Sequence, residues 1–355
     1  MNRRISMVMA ALVVLVGLAV VLPARQALAA SSASLSIVPK KNYVIEPGKS
    51  VDDKLNIRNL DPVQPLELSL RVIDFTFTDD GGTPKLMLAA DAPQTTWSLK
   101  PFLSVPESIS IPPNSSKTVD MKVQIPANHG AGSYYSAILY SSGAPGEGGN
   151  VGLNASGVTL VFTSIPGQVK ENLTLEKFGA YMPATGTKKA DYAFIATSEP
   201  QMLAYTLKNN GNVTEAPVGS ITLKDMFGKT RTINDINPNG SLALIDQTRT
   251  FTSCIEIENA TIDLNGAVTK SKACKSPGLW PGYYTAQLDA FYGQNGNQTQ
   301  EIVKTASFWY LPWWFIAVAI IVLLIAIYFI RKAVLFIRRK LGIQSKPKKP
   351  LLRRK

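Results

Sequence analysis

The sequence predicts an all-β protein with two immunoglobulin-like β-sandwich domains in series plus one C-terminal transmembrane helix. Between residues 34 and 303, apolar and polar side chains alternate in short runs, for example in residues 66–72 and 119–125. This two-residue period places one face of each strand on a core and the other in water. Turn-forming residues interrupt the runs about every ten residues, a spacing typical of sandwich domains.

The first residues have the plan of a secretory signal peptide, predicted over residues 1–29. Two arginines precede an apolar run over residues 5–22, and Ala27-Leu28-Ala29 supplies the small residues of a cleavage site. Cleavage is therefore expected after Ala29. The apolar run is long for a signal peptide, which leaves an uncleaved anchor as the alternative.

The exported part divides into a first immunoglobulin-like domain, residues 30–168, and a second, residues 169–305. A weak internal repeat supports this division, because residues 132–137 and 282–286 share a Gly-x-Tyr pattern between a turn and a strand. We expect a tyrosine in each copy to tie its hydroxyl to a neighbouring corner, as in other sandwich domains. Glycine-rich residues 141–150 are interpreted as a loop within the first domain.

The earlier parts of the two domains also share a plan. Residues 55–59 and 205–212 each predict an early strand that runs into an asparagine-rich turn. A strand that ends in a Pro-Pro turn at residues 109–116 has its counterpart at residues 236–241. These repeated parts favour two copies of one domain type.

Residues 308–330 are predicted to cross a membrane as a helix. The segment has 23 residues and no charge, and a helix of that length at about 1.5 Å per residue crosses about 30 Å of hydrocarbon. Aromatic side chains prefer the headgroup level, and five of them are predicted to mark the two membrane interfaces: Trp309, Tyr310, Trp313, Trp314 and Tyr328.

The net charge of +12 arises mainly at the ends of the chain. Residues 331–355 contain eleven Lys or Arg residues and no acidic residue, and three more arginines lie within the first 25 residues. The part between is nearly neutral, which argues against nucleic-acid binding because a basic footprint must lie on a folded surface.

Basic segments stay in the cytoplasm, so residues 331–355 are predicted to be a basic cytoplasmic tail. The chain is then a single-pass protein of the cell membrane with its N-terminal ectodomain extracellular. The tail could hold anionic lipid headgroups or serve only as a stop-transfer signal, and the sequence leaves both open.

The exported part contains two cysteines, Cys254 and Cys274, which we expect to form a disulfide because oxidising compartments favour pairing. Closing a loop of about twenty residues stabilises a fold by roughly 3 kcal/mol in the chain-entropy model. Two cysteines without a nearby histidine do not predict a metal site.

Residues for catalysis or cofactor binding are not predicted. His129 is the single histidine, lies in a Pro/Gly turn, and is interpreted as a solvated loop residue. The glycine pairs lack the lysine and the strand-to-helix context of a phosphate loop. We therefore expect no enzymatic activity, no cofactor and no small-molecule substrate, while a carboxylate pair assembled by folding stays open.

The order of these features resembles the WxL-interacting proteins of bacterial cell surfaces. The similar stretches are residues 105–119, residues 132–138 and the strand at residues 158–165. The resemblance covers the whole chain in architecture and about a quarter of it in motif. It implies a peptidoglycan-binding and a host-binding immunoglobulin-like domain. Two features depart from that family's pattern: Pro39-Lys40-Lys41-Asn42 lacks the expected glutamine, and the cysteine pair is additional.

These observations predict a non-catalytic, membrane-anchored binding or scaffold protein of the cell surface that attaches to peptidoglycan (a cell-wall glycan) or to a surface partner protein. One alternative is an envelope-biogenesis chaperone that donates or accepts a strand at a sheet edge. A membrane-anchored enzyme is another. A eukaryotic receptor-like glycoprotein, using the seven Asn-x-Ser/Thr sequons, is the third.

Overall fold

A computed structural model of the chain describes residues 35–77, 83–89, 91–142, 154–264, 267–293 and 300–340. The predicted signal peptide, most of the glycine-rich loop and the tail beyond Lys340 lie outside these residues. Within them, strands form four main sheets and two small hairpins, and one long helix follows the last strand. The predicted all-β class, with two sandwiches and a C-terminal helix, is confirmed.

The first sandwich and its appended hairpin contain these strands: β1 (Leu35–Ser36), β2 (Lys40–Val44), β3 (Ser50–Asn59), β4 (Leu66–Ile73), β5 (Phe75–Phe77), β6 (Pro84–Leu86), β7 (Leu103–Ser104), β8 (Ser108–Ile111), β9 (Ser116–Gln124), β10 (Gly132–Ser142) and β11 (Asn154–Ile165). A four-stranded sheet in the order β1-β3-β9-β7 faces a five-stranded sheet in the order β2-β11-β10-β4-β8. Strands β5 and β6 form a separate hairpin. Strands β2 and β11 pair in parallel.

The second sandwich and its hairpin contain these strands: β12 (Leu173–Met182), β13 (Asp191–Tyr192), β14 (Ile195–Ala196), β15 (Met202–Asn209), β16 (Val218–Asp225), β17 (Thr230–Ile233), β18 (Thr248–Cys254), β19 (Ile257–Leu264), β20 (Ala267–Cys274), β21 (Gly282–Tyr292) and β22 (Gln300–Tyr310). Its sheets have the orders β13-β12-β15-β18 and β14-β22-β21-β16-β17. The short parallel strand at one edge, β14 beside β22, corresponds to β2 beside β11 in the first sandwich.

Side-chain alternation fills the space between the paired sheets. In β9, Val119, Met121 and Val123 are buried, and the residues between them are exposed. Leu288 on β21 is fully buried in the same way, and Gln287 beside it is exposed. Each sandwich thus has its own apolar core.

The two sandwiches repeat an unusual backbone position. Asn114 and Asp246 are the two residues other than glycine with positive φ among the described residues, at 48° and 58°. Asn114 lies two residues before β9, which pairs with β3, and Asp246 lies two residues before β18, which pairs with β15. Both β3 and β15 end at an asparagine. Asparagine and aspartate tolerate this left-handed conformation because their short side chains can bond locally. The predicted repeat therefore extends to single backbone positions.

The expected tyrosine corners are present in both sandwiches. The Tyr134 hydroxyl donates to the Gly130 carbonyl at 3.2 Å, and the Tyr284 hydroxyl donates to the Trp280 carbonyl at 2.7 Å. Both tyrosines lie two residues after the glycine that begins β10 or β21. The repeated corner fixes the turn that enters each of these strands.

The C-terminal helix, α1 (Trp313–Lys340), begins and ends later than predicted. The predicted bounds, 308–330 for the helix and 305 for the end of the second domain, are wrong because β22 continues to Tyr310. Phe308 is fully buried in the second core, and the Trp309 N–H donates to the Phe194 carbonyl at 2.7 Å. Sheet pairing thus provides hydrogen-bond partners for the backbone of residues 308–310, which their composition alone assigned to the membrane helix.

Helix α1 is long and apolar enough to cross a membrane. Its uncharged part, residues 313–330, spans about 27 Å at about 1.5 Å per residue. Residues 331–340, predicted as the start of the tail, continue the helix. Only Leu311 and Pro312 separate it from β22.

The predicted disulfide between Cys254 and Cys274 is present, with a Cα–Cα distance of 5.1 Å. Cys254 ends β18, and Cys274 pairs with Ile257 at the base of the β19–β20 hairpin. This hairpin is a two-stranded sheet apart from the two larger ones. Two-stranded hairpins are marginal by themselves, so the disulfide ties this one to the second sandwich.

Replacing both cysteines, Cys254→Ala with Cys274→Ala, is expected to lower the free energy of unfolding by about 3 kcal/mol. The bond closes a loop with a sequence separation of 20, and its removal returns conformational entropy to the unfolded chain. Denaturant unfolding of the full-length protein in detergent measures the change. Reduced wild-type protein should match the variant, and a variant as stable as oxidised wild type would contradict the prediction.

Candidate binding cleft between the two sandwiches

The two sandwiches are joined by direct backbone contacts. The Ser133 N–H donates to the Asn212 carbonyl at 2.9 Å, and the Asn212 side-chain amide donates to the Ala131 carbonyl at 3.0 Å. The Thr214 N–H donates to the Ser133 hydroxyl at 3.0 Å. A Cβ on Gly132 would lie 2.7 Å from the Asn212 carbonyl oxygen, so this close approach requires glycine.

An apolar cluster, which we call the junction core, fills the space beside these contacts. The β10 residues Tyr135 and Leu139 and the β5 residue Phe75 meet Leu244 and Ile245 from the loop before β18. The Phe77 N–H donates to the Gln247 side chain of the same loop, at 3.2 Å. Since apolar interdomain contact resists relative motion, the junction core holds the sandwiches together.

A cleft of about 440 Å³ lies at this junction, with walls from both sandwiches. Strands β2 and β11 form the wall on the first sandwich. Their parallel register aligns Asn42 with Phe162 and Val44 with Ser164, and all four residues line the cleft together with Lys40. Tyr43 and Ile165 of the same two strands also line the cleft.

Side chains on the other face of β2 hold that strand in place. The Lys41 ammonium forms an ion pair with Asp53 of β3 at 2.7 Å, and the Tyr43 hydroxyl also donates to the Asp53 carboxylate. These hydrogen bonds, Lys41 first, lower the pKa of Asp53 to about 2. Strand β2 is thus fixed to the opposite sheet while Lys40, Asn42 and Val44 line the cleft.

The second sandwich contributes Glu215 to the opposite wall. Its backbone is fixed by two hydrogen bonds with Ala243, at 2.7 and 3.2 Å. One carboxylate oxygen, Oε2, accepts from the Gly293 N–H at 3.2 Å, and the other, Oε1, is buried and has no partner among the described residues. Glu215 is only 2 % exposed. An ionisable group in this state is costly, so it indicates a site for a ligand group.

Burial raises the pKa of Glu215 to about 7, and the charge of Glu171 adds to the increase. Lys40, on the facing wall, has its ammonium 4.9 Å from the centre of the Phe162 ring. Burial also lowers the pKa of Lys40. The ion pairs within the described residues involve neither group. The cleft therefore presents a carboxyl and an ammonium without charged protein partners, between partly apolar walls.

Replacing Glu215 with glutamine is expected to remove a pH-dependent loss of stability. The carboxyl titrates near 4.5 when unfolded and at about 7 when folded, so its contribution is fully present below pH 4.5 and is lost as pH rises through 7. Glu215→Gln should exceed wild type in unfolding free energy by up to about 3 kcal/mol at pH 8 and by little at pH 4. Unfolding curves at both pH values measure this difference. The same difference between variant and wild type at pH 4 and at pH 8 would contradict the prediction.

The residues predicted as site residues lie away from the cleft. Cys254 and Cys274 fix the hairpin, Trp309 and Tyr310 end β22, and Trp313 and Trp314 begin α1. Tyr328 is an exposed residue within the helix.

His129, predicted as solvated, is instead half-buried. Its ring packs edge-on against Phe102 and Tyr134, with ring centres 4.8 and 4.5 Å away. No group of three or more residues suited to a metal ion occurs among the described residues.

Sequence reasoning missed both charged groups of the cleft. Lys40 lies in the Pro39-Lys40-Lys41-Asn42 element, but nothing distinguished it from Lys41. Glu215 is the one acidic residue between Val213 and Val218, in a segment that is otherwise apolar apart from Thr214. A lone carboxylate in such surroundings is the signal that could have identified it.

The fold and the cleft together define a protein of two joined immunoglobulin-like sandwiches with one helix suited to a membrane. No protein-family model matches the sequence, and no curated protein matches it.

Solved structures with similar folds include a chaperone–tip adhesin complex of CFA/I fimbriae biogenesis (12% identity, 77% of this chain and 98% of that chain, TM-score 0.35). A second is a chain of the Salmonella enterica SafA pilin–SafB chaperone complex (10% identity, 79% of this chain and 96% of that chain, TM-score 0.31). A third is the E. coli chaperone DraB (12% identity, 78% of this chain and 97% of that chain, TM-score 0.31). The likeness concerns the β-sandwich fold and does not bear on function.

Proposed function

We propose that this chain is a non-catalytic, membrane-anchored binding protein of the cell surface that holds its partner in the interdomain cleft. The observation that carries the proposal is the buried Glu215 carboxyl, which has one oxygen without a partner among the described residues, in a cavity that Lys40 of the other sandwich also lines. A partner with an amino group and a carboxylate would supply the missing partner for each. Protein segments have both groups, and so do the peptide stems of cell-wall glycan.

The junction supports binding rather than domain closure. Gly132 and Asn212 are in backbone contact beside the cleft, and the junction core packs against the same sheet. A cleft whose walls are already fixed loses little conformational entropy when a partner binds. Helix α1, two residues beyond β22, supports a single membrane span that keeps the cleft at the cell surface.

Peptidoglycan and a surface protein are the two partner classes that we propose, in line with the resemblance to WxL-interacting proteins. Purified full-length protein in lipid nanodiscs should sediment with isolated cell-wall glycan or be retained by a surface protein. Both Glu215→Gln and Lys40→Met should weaken that binding, while the exposed control Lys54→Met should not. Equal binding by all four proteins would count against the cleft.

The envelope-biogenesis chaperone is a second candidate because β22 has an open edge. Strand β22 pairs with β21 over its whole length, but the described residues pair with its other edge only at Trp309 and Tyr310. The backbone around Val303, Thr305 and Ser307 therefore has no strand partner on that side within the described part of the chain. Such an edge can accept an extended segment of another protein as an additional strand.

Site-specific photo-crosslinking in intact cells separates the two candidates. A photoreactive residue at Asn42 reports on the cleft, one at Thr305 reports on the β22 edge, and one at the exposed loop residue Val63 is the control. Adducts from Asn42 alone support the surface-binding proposal. Adducts from Thr305 alone support the chaperone, and adducts from neither position would overturn both.

A further inference from the structure

The end of the second sandwich next to α1 has a cluster of exposed apolar side chains, which we call the apolar end. Five residues from three separate segments belong to it, and each is more than half exposed: Phe194, Ile195, Met226, Phe227 and Trp280. Apolar side chains exposed singly are ordinary, but a group gathered at one end of a domain indicates a contact surface.

The contacts of the last strand place these residues beside the start of α1. Ile195 pairs with Trp309, and the helix begins four residues after Trp309, at Trp313. Gly282 pairs with Tyr310, and a Cβ on Gly282 would lie 2.5 Å from the Met226 sulfur. Phe194 accepts the Trp309 N–H. All three segments therefore meet within one or two strand spacings of the helix.

The turn that carries Met226 and Phe227 is built to hold them outward. The Asp225 carboxylate accepts from the backbone N–H groups of Phe227 and Lys229, at 2.9 and 2.8 Å. Gly228, at φ 92°, allows the tight reversal, and its N–H donates to the Asp225 carbonyl at 3.1 Å. Two large apolar side chains are thus exposed on a turn that these hydrogen bonds fix.

The repeat between the sandwiches gives a second, independent argument. The carbonyl that receives the corner tyrosine belongs to Gly130 in the first sandwich and to Trp280 in the second. In the first sandwich, this corner is adjacent to Ala131, which contacts Asn212 of the second sandwich. The equivalent corner of the second sandwich includes Trp280, two residues before Gly282, and Gly282 pairs with Tyr310 at the end of β22, next to the helix.

We propose that the apolar end docks into the interfacial layer of the same bilayer that α1 crosses. Aromatic side chains favour the boundary between headgroups and acyl chains, and Trp313 and Trp314 at the start of α1 already match that level. The two-residue link leaves no spacer that could lift the apolar end clear of the lipid. The sandwich then has a fixed orientation on the membrane instead of turning freely on a tether.

Site-directed spin labelling of the full-length protein in lipid nanodiscs tests the docking. Both native cysteines are in the disulfide, so a nitroxide reacts only with an introduced cysteine. Labels at Phe227→Cys and Trp280→Cys should be several-fold more accessible to oxygen, relative to a water-soluble nickel complex, than a label at Val63→Cys. Val63 is also exposed but lies in a loop of the first sandwich.

The two labelled positions keep the test decisive if one variant misfolds, and circular dichroism of each variant checks folding. If both labels show the same nickel accessibility as Val63→Cys, the apolar end lies in water and the docking proposal is overturned. The result does not depend on the cleft, because neither labelled residue lines it.

Discussion

Replacing Leu244 with aspartate should separate the unfolding of the two sandwiches. Leu244 is 1 % exposed and packs in the junction core with Phe75 and Tyr135 of the first sandwich. A carboxylate there loses the apolar contact and has no partner, a combined cost of about 4 kcal/mol. Wild-type protein should show one calorimetric transition, and Leu244→Asp two.

A volume-conserving variant controls for the substitution itself. Leu244→Met keeps an apolar side chain of similar size, so it should retain a single transition and lose less than about 1.5 kcal/mol. A single transition for Leu244→Asp, at the wild-type temperature, would show that the junction core does not couple the sandwiches.

Replacing Asn209 with alanine should lower the free energy of unfolding by about 4 kcal/mol. The side-chain amide donates to the Val213 and Ala243 carbonyls at 2.7 and 2.9 Å, and its oxygen accepts the Gly211 N–H at 2.9 Å. Alanine leaves the Val213 carbonyl and the Gly211 N–H without their partner, while the Ala243 carbonyl keeps the Glu215 N–H. Each group left unpaired in this buried turn costs roughly 1–3 kcal/mol. Chemical denaturation of full-length protein in detergent measures the loss.

The repeat supplies the comparison for this prediction. Asn59 is equally buried in the first sandwich, and its amide closes the equivalent turn onto the Gln64 and Ile111 carbonyls. Asn59→Ala should therefore cost a similar amount. Within the described residues, the side chain of the neighbour Asn210 bonds to the Thr174 hydroxyl alone and is exposed there, so Asn210→Ala should cost less than about 1 kcal/mol. Equal losses at Asn209 and Asn210 would contradict the argument.

The fold class followed from the sequence because most strands have one face in water. Strands such as β9 alternate cleanly, and alternation needs only local information. Strand β10 does not alternate, since residues 133–140 are almost all buried. One face packs in the first core and the other in the junction core. The contact with the junction core depends on the second sandwich, so the local sequence pattern of β10 does not predict it.

The start of α1 shows a second limit of sequence reasoning. Residues 308–310 are apolar and aromatic, which is the composition of both a membrane helix and a buried strand. Sheet pairing decides the outcome, because β21 and β14 flank these residues on both sides. The cleft was out of reach for a related reason: Lys40 and Glu215 are distant in sequence, and only the packing of the two sandwiches brings them to one cavity.

The short link between β22 and α1 determines how the protein carries mechanical load. A force along α1 reaches the second sandwich at the C-terminal end of β22, because only Leu311 and Pro312 separate the strand from the helix. Strand β22 pairs with β21 along all of its residues, so the hydrogen bonds between these two strands resist that force. Tension on the helix therefore acts on paired strands and not on an extensible linker.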